Sequence, residues 1–507
     1  MNYNSILKGK DVVTNHEGAK AYAMTPELEL YTAVVTASLS DSFYEIQDER
    51  TNRIAELVDK VSPEFVARLA VYTRTEMHLR SIPLLLLVEL AKIHNGDDLV
   101  ARAVEKTVLR ADEIMELLMC YQWRNPSSDP RKKLGKLSRQ IQNGLQRAFN
   151  RFDEYQFAKY DRDNLEVKLR DALFLVHPKA KDAAQQAIFD KIVNRQLEIP
   201  YTWETELSAL GQQRFESDEQ KQEAFREKWE ELINSGKLGY MALIRNLRNM
   251  LQVDVSLTEM QKVAGRISNA EQVSKSKQLP FRYLAAYREL EKVNTTHTAA
   301  LMNALEIAVK YSASNIEGFD ESTRVLLACD VSGSMGSPIS QRSTVRNYDI
   351  GILLAMLLRN RCKQVVSGIF GNDWEVLNMP NDNILMATRH MERLRNSVGF
   401  STNGYKVIDW LLEQKMDMDK VMMFTDMQMW DSSGQFKDFE TSWKKYKALF
   451  PKAKLYLFDL AGYGQLPLRL AEPDVYLIAG WSDRVFDVLS AIDKGEDVLS
   501  VINKIQI

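Results

Sequence analysis

Apolar residues recur at helical spacing through most of the first three hundred positions. Thr25-Pro26-Glu27 pairs an N-cap hydroxyl with a proline at the first helical position, and Leu28, Tyr31, Val34 and Val35 follow three and four residues apart. Ser62-Pro63-Glu64 repeats that opening before Phe65, Val66, Leu69 and Ala70. The same period predicts amphipathic helices over 83–93, 100–118, 241–251 and 298–312. Many helices with short connections and no convincing strand predict stacked helical pairs, an all-α solenoid of the HEAT type. No fixed repeat length stands out.

From Thr323 onward the pattern alternates. Short apolar runs at 324–329, 364–370, 420–425, 454–459 and 474–478 read as strands. Helical periodicity falls between and after them at 348–358, 402–415 and 483–492. This order predicts a doubly wound α/β sheet, with ligands at the carboxyl ends of the strands. Glycine use changes in step, with 10 glycines in residues 1–318 and 12 in the much shorter remainder. The reading is therefore two domains, a helical one over 1–318 and an α/β one over 322–507, as the length of 507 residues also suggests.

A formal net charge of −3 excludes a global polyanion-binding character, so any nucleic-acid surface must be a local patch. Three cysteines, Cys120, Cys329 and Cys362, lack metal-binding spacing and read as reduced thiols of a cytoplasmic protein. The start of the chain shows no signal-peptide pattern. The most apolar segment, 82–88, is too short to cross a bilayer, so no membrane partner is expected.

Candidate chemistry begins where the first predicted strand ends. Asp330-Val-Ser332-Gly-Ser334 places one carboxylate and two hydroxyls on a tight loop, hard oxygen donors suited to Mg²⁺ or another divalent cation. Ser401-Thr402-Asn403-Gly404 offers a further hydroxyl, and the apolar run Val421-Met-Met-Phe-Thr425 ends on Asp426. Turn-forming Asp and Ser explain the first motif alone; three motifs in order favour a metal site. Together they resemble the metal-ion-dependent adhesion site of a von Willebrand factor A domain. A haloacid dehalogenase-type phosphotransferase needs Asp-x-Asp, and Ser332 stands at the second position. A serine hydrolase elbow needs Gly-x-Ser-x-Gly, and Ser332 also stands where its first glycine belongs. With two carboxylates, neutral hydroxyls and no evident base, the site reads as binding rather than catalytic.

Residues 131–181 carry 13 Lys or Arg against 6 Asp or Glu, beginning at Arg131-Lys132-Lys133. Phe149, Phe152, Tyr155, Phe157 and Tyr160 are interleaved with them. Basic groups neutralise phosphates and aromatics stack on unpaired bases. The competing reading is a solvated helix face over core aromatics.

Several segments resemble the Ro autoantigen family. They are Arg80-Ser-Ile-Pro-Leu-Leu-Leu-Leu-Val-Glu-Leu90, Lys159-Tyr-Asp-Arg162, Leu169-Arg-Asp-Ala-Leu-Phe-Leu-Val-His-Pro-Lys179, Met241-Ala-Leu-Ile-Arg-Asn-Leu247, Pro280-Phe-Arg-Tyr-Leu-Ala-Ala-Tyr287 and Leu326–Met335. The family joins a TROVE module, a closed ring of HEAT-like helices, to a von Willebrand A domain. The resemblance implies binding of Y RNA-like small structured non-coding RNA and of RNA with single-stranded ends. In bacteria it further implies an adaptor that presents RNA to an exoribonuclease, with no catalysis of its own. Lys159, Arg162 and His177 match the family's Y RNA-contacting motif, although the Tyr160–Arg162 spacing is one residue shorter than in animal members. Arg170 and Lys179 join them on charge alone. The expectation is a non-catalytic RNA-binding protein. A protein-interaction scaffold that never touches RNA is the alternative, and a metal-dependent phosphohydrolase is disfavoured by the missing second Asp.

Overall fold

The computed structural model describes residues 12–37, 47–126, 136–162, 164–312, 319, 322–340, 343–378, 383–435, 437–470, 474–481 and 484–507. The chain divides into two compact units, each built from separated segments. Asn52–Arg214 joins Leu499–Ile507 in one unit; Met1–Thr51 joins Phe215–Val498 in the other.

The first of these units is helical. Ser62 caps the helix Pro63–Thr75 by accepting from the Phe65 N–H, and Leu84 to Val88 are buried within the helix Ser81–Ile93. The helix expected over 100–118 is two, Leu99–Thr107 and Ala111–Arg124. Glu113 makes the break: its carboxylate accepts from the Leu109 and Arg110 N–H groups at 2.8 and 3.1 Å, which starts a new helix. Both helices bury the same kind of apolar face, so the periodicity ran through the joint unbroken.

The second unit holds the sheet. Strands β1 (Val12–Thr14) and β2 (Lys20–Ala23) form an antiparallel hairpin. The expectation of no strand before the α/β region is therefore corrected. β2 pairs with β8 (Gln465–Leu466), so the stabilising partner lies too far along the chain for a local pattern to announce it. The main sheet contains β3 (Arg324–Asp330), β4 (Gln364–Phe370), β5 (Trp374–Val376), β6 (Lys420–Thr425), β7 (Lys454–Asp459) and β9 (Val475–Ala479). Its order is β5-β4-β3-β6-β7-β9, parallel throughout except for the edge strand β5. The short β5 and the helices Ile384–Leu394 and Phe439–Leu449 were not anticipated. The direction in which strands are added reverses between β3 and β6, the kind of crevice where α/β sheets bind ligands.

Helices of the same unit are tied to the sheet domain by buried charge. Arg288, on Pro280–Leu290, donates to both oxygens of Asp349 at 2.9 and 2.5 Å and to Glu392 at 2.9 Å. Glu306, on Thr298–Ser312, accepts from the Leu385 and Met386 N–H groups and so caps the helix Ile384–Leu394. Tyr31 reaches the Ala479 carbonyl at the end of β9. Cys120, Cys329 and Cys362 are free thiols, the last two buried.

Candidate metal centre and nucleic-acid interface

Asp330 ends β3 and Asp426 follows β6, so the two carboxylates flank the point where the sheet order reverses. Asp330, Ser332, Ser334, Thr402 and Asp426 are all buried. Asp330 Oδ1 accepts from the Ser332 N–H at 2.9 Å, and its Oδ2 accepts from the Thr425 hydroxyl at 2.7 Å. The Ser332 and Ser334 hydroxyls lie 3.3 Å apart, and Ser334 is near enough to Asp426 to favour its charged form. The Thr402 loop is drawn in by backbone bonds: Gly333 N–H to the Phe400 carbonyl at 2.9 Å and Trp430 N–H to the Thr402 carbonyl at 3.2 Å. At Gly371 a Cβ would sit 2.1 Å from the Gly399 carbonyl oxygen, so a side chain there would push the Thr402 loop away from the end of β4.

Burial raises the pKa of both Asp330 and Asp426, and the charge of Asp426 adds to the effect on Asp330. Asp426 Oδ1 accepts from the Gln428 N–H, while its Oδ2 is buried without a hydrogen-bond partner. Among the described residues no three His, Cys, Asp or Glu side chains converge on one point. Any ion here would rest on two carboxylates and neutral hydroxyls.

Sequence reasoning missed several supporting residues. Thr425 orients Asp330, and Asn403 pins its loop by donating to the Asn372 carbonyl and accepting from the Ser432 N–H. The β1–β2 turn also reaches this end of the sheet. Asn15 donates to the Met429 carbonyl, and the His16 N–H donates to Gln428, both at 2.9 Å. Glu17 in that turn is near enough for its charge to push Asp426 upward. Asp459, at the end of β7, is a third buried carboxylate and is raised by burial first and by Asp426 in part. Thr425 and Asn403 were visible as neighbours of motif residues; nothing local pointed to Glu17.

The basic candidates lie in the other unit. Lys159 sits near the end of the helix Glu154–Tyr160, exposed, 6.0 and 5.6 Å from the ring centres of Tyr155 and Tyr160. Arg162 is exposed just beyond it. Arg170 lies over the exposed Phe174, and its Nε is buried without a hydrogen-bond partner. His177 ends the helix Leu169–Val176 in a left-handed conformation, exposed, with Lys179 exposed two residues on. Lys159, Arg162, Arg170 and Lys179 form no ion pair among the described residues. Phe149, Phe152 and Phe157 are core, so of the interleaved aromatics only Tyr155 and Tyr160 retain exposed surface. Arg131, Lys132 and Lys133 lie outside the described residues.

The TROVE domain family matches residues 32–222 and 194–317, more than half of the chain. The chain belongs to the TROVE-domain family. Residues 324–492 match the Ro60 vWA domain, so this TROVE protein carries a Ro60-type von Willebrand A domain. The crystal structure of the Deinococcus radiodurans Ro (RSR) protein superposes with a TM-score of 0.59 at 19% identity, covering 93% of this chain and 100% of that one. A 97-residue stretch is 37% identical to telomerase protein component 1 of Rattus norvegicus, and equally to that of Mus musculus. That stretch is 19% of this chain and 3% of those relatives, which are far longer.

Within this TROVE protein the A-domain residues fit a divalent cation. Asp426 Oδ2 is an orphaned, fully buried acceptor beside a second buried carboxylate and two hydroxyls. Leaving such a group unmatched is costly, and a cation would satisfy it.

Proposed function

We propose that this TROVE protein binds RNA without catalysing a reaction on it, taking small structured RNAs of the Y RNA kind and RNAs that carry a single-stranded end. Family membership supports the RNA partner. The observation that carries the site is the set Lys159, Arg162, Arg170 and Lys179, which have no carboxylate partner among the described residues, with Tyr155 and Phe174 exposed beside them. Unpaired cations beside exposed rings suit phosphates and unstacked bases. The same reading makes the protein an adaptor that hands RNA to a processing exoribonuclease.

In the A domain, Ser332, Ser334 and Thr402 would hold Mg²⁺ with Asp330 and Asp426. When bound, the ion supplies positive charge that offsets the two carboxylates and a position for an acidic group of a protein partner. The protein's own residues set the frame. Thr425 holds Asp330 in place, and Asn403 fixes the loop that carries Thr402.

The test is a salt series of RNA titrations with a stem that carries a 3′ tail. Lys159→Ala with Arg162→Ala should weaken binding and reduce the slope of log affinity against log salt by about 1–2. An unchanged affinity and slope would mark this run as a solvated face.

A further inference from the structure

Arg395 follows the helix Ile384–Leu394 and opens a short 3₁₀ turn, Arg395–Ser397. Its guanidinium lies against two rings, 4.4 Å from the centre of buried Tyr348 and 5.1 Å from that of Phe400. Phe400 is 50% exposed. Both rings stand beside the loops that carry the candidate metal ligands. The Phe400 carbonyl accepts at 2.9 Å from the N–H of Gly333, which lies between Ser332 and Ser334, and Thr402 is two residues further on. Asn347, next to Tyr348, donates through its N–H to the Ser337 carbonyl at 3.0 Å. Arg395 is therefore held at the border of that site.

The chain supplies no acid to match it. Among the described residues the Arg395 guanidinium has no ion pair and no hydrogen bond, and its Nε is buried without a partner. Glu392, three residues before, and Asp349, next to Tyr348, both go to Arg288. Glu291 takes Arg389 and Arg393. The exposed Arg346 adds a second cation, fixed by its bond to the Gly336 carbonyl two residues past Ser334. Stacking holds a guanidinium by its faces and keeps the terminal N–H groups for an in-plane carboxylate.

We propose that Arg395 and Phe400 form a specificity subsite beside the ion, for an acidic polypeptide with two neighbouring carboxylates. One carboxylate reaches the ion and the next is taken by Arg395, while Phe400 covers the apolar stems between them. This rests on the metal reading above. Acids of the chain lie along the same stretch: the Asp373 N–H donates to the Val398 carbonyl at 3.0 Å, and Glu375 accepts from the Ser397 hydroxyl. They would repel a continuous polyanion such as RNA, whereas a peptide sets its acids singly.

Anisotropy of rhodamine-labelled hexaglutamate, titrated with the full chain in Mg²⁺ and again in EDTA, tests it. Arg395→Gln should bind about fivefold more weakly than the parent, the upper range for a part-exposed ion pair. Arg395→Lys should fall between them, because charge is kept and the stacked fork is lost. Phe400→Ala should also bind more weakly, yet melt close to the parent because the ring is half exposed. A hexapeptide of five glycines and one glutamate should bind the parent and Arg395→Gln alike, since a single acid is taken by the ion. The Mg²⁺-dependent rise in melting temperature should survive in Arg395→Gln; its loss would mean that Arg395 only props the metal loop, and the proposal falls. It falls equally if the parent does not bind hexaglutamate or if Arg395→Gln binds it as well as the parent does. If EDTA leaves the binding and its dependence on Arg395 intact, the metal reading is wrong while the arginine contact stands. If Arg395→Gln weakens an RNA stem with a 3′ tail but not hexaglutamate, the occupant is RNA and the proposal is overturned.

Discussion

Asp426 is the residue on which the proposed Mg²⁺ site can be tested. One oxygen has a backbone donor, and the other is buried with none. Mg²⁺ at a hundred times its dissociation constant should therefore stabilise the protein by about 2.7 kcal/mol, read as an upward shift in melting temperature that EDTA reverses. Asp426→Asn should abolish the shift, and the metal-free variant should melt no lower than the metal-free parent, since a buried charge has been removed. A variant that keeps the Mg²⁺-dependent shift would remove Asp426 from the site. This loop was readable because its donors are contiguous: Asp330, Ser332 and Ser334 share one turn, and Thr402 and Asp426 each stand in a short local motif. Glu17 was not readable. Its place beside Asp426 depends on a hairpin whose fold is settled by distant partners.

Among the elements, those with strong local signals came through best. Thr25 and Ser62 accept from the Leu28 and Phe65 N–H groups as their Pro-containing openings foretold. Replacing Ser62 by Ala should cost about 1 kcal/mol in chemical unfolding. Glu113 was hidden because a buried carboxylate that starts a helix resembles any polar position on an amphipathic face. Arg288 was hidden for a like reason, and its expected effect is larger. Arg288→Met would leave Asp349 and Glu392 facing each other without their shared cation. The loss should be about 3–5 kcal/mol, measured by urea unfolding of the full chain. A loss below about 1 kcal/mol, the range of an exposed ion pair, would show that the pair is not what ties this helix to the sheet domain.

At the scale of the molecule, the succession of helices followed by alternating strands and helices was legible because periodicity reports which faces are buried. The compact units were not legible, since each is assembled from pieces that the sequence order separates. Arg68 reaches Asn503, and Arg102 and Lys106 donate to the carbonyls of Ile507 and Gln506. A chain cut after Val498 should therefore show faster proteolysis within 52–214. Equal rates would mean that residues 499–507 add nothing to that unit.

The β1–β2 hairpin has one more consequence, in time rather than space. It leaves the ribosome more than 400 residues before β8 and the loop at Met429 are made. During synthesis this two-stranded ribbon has neither its third strand nor its hydrogen-bonding loop, and an isolated hairpin is marginal in water. Its order must wait for the sheet domain to fold, because contacts so far apart in sequence form late. Amide protection at Ala21 and Tyr22 should thus appear after protection of β3 and β6 in pulse-labelled refolding. A segment translated well ahead of the sheet would be among the last to settle.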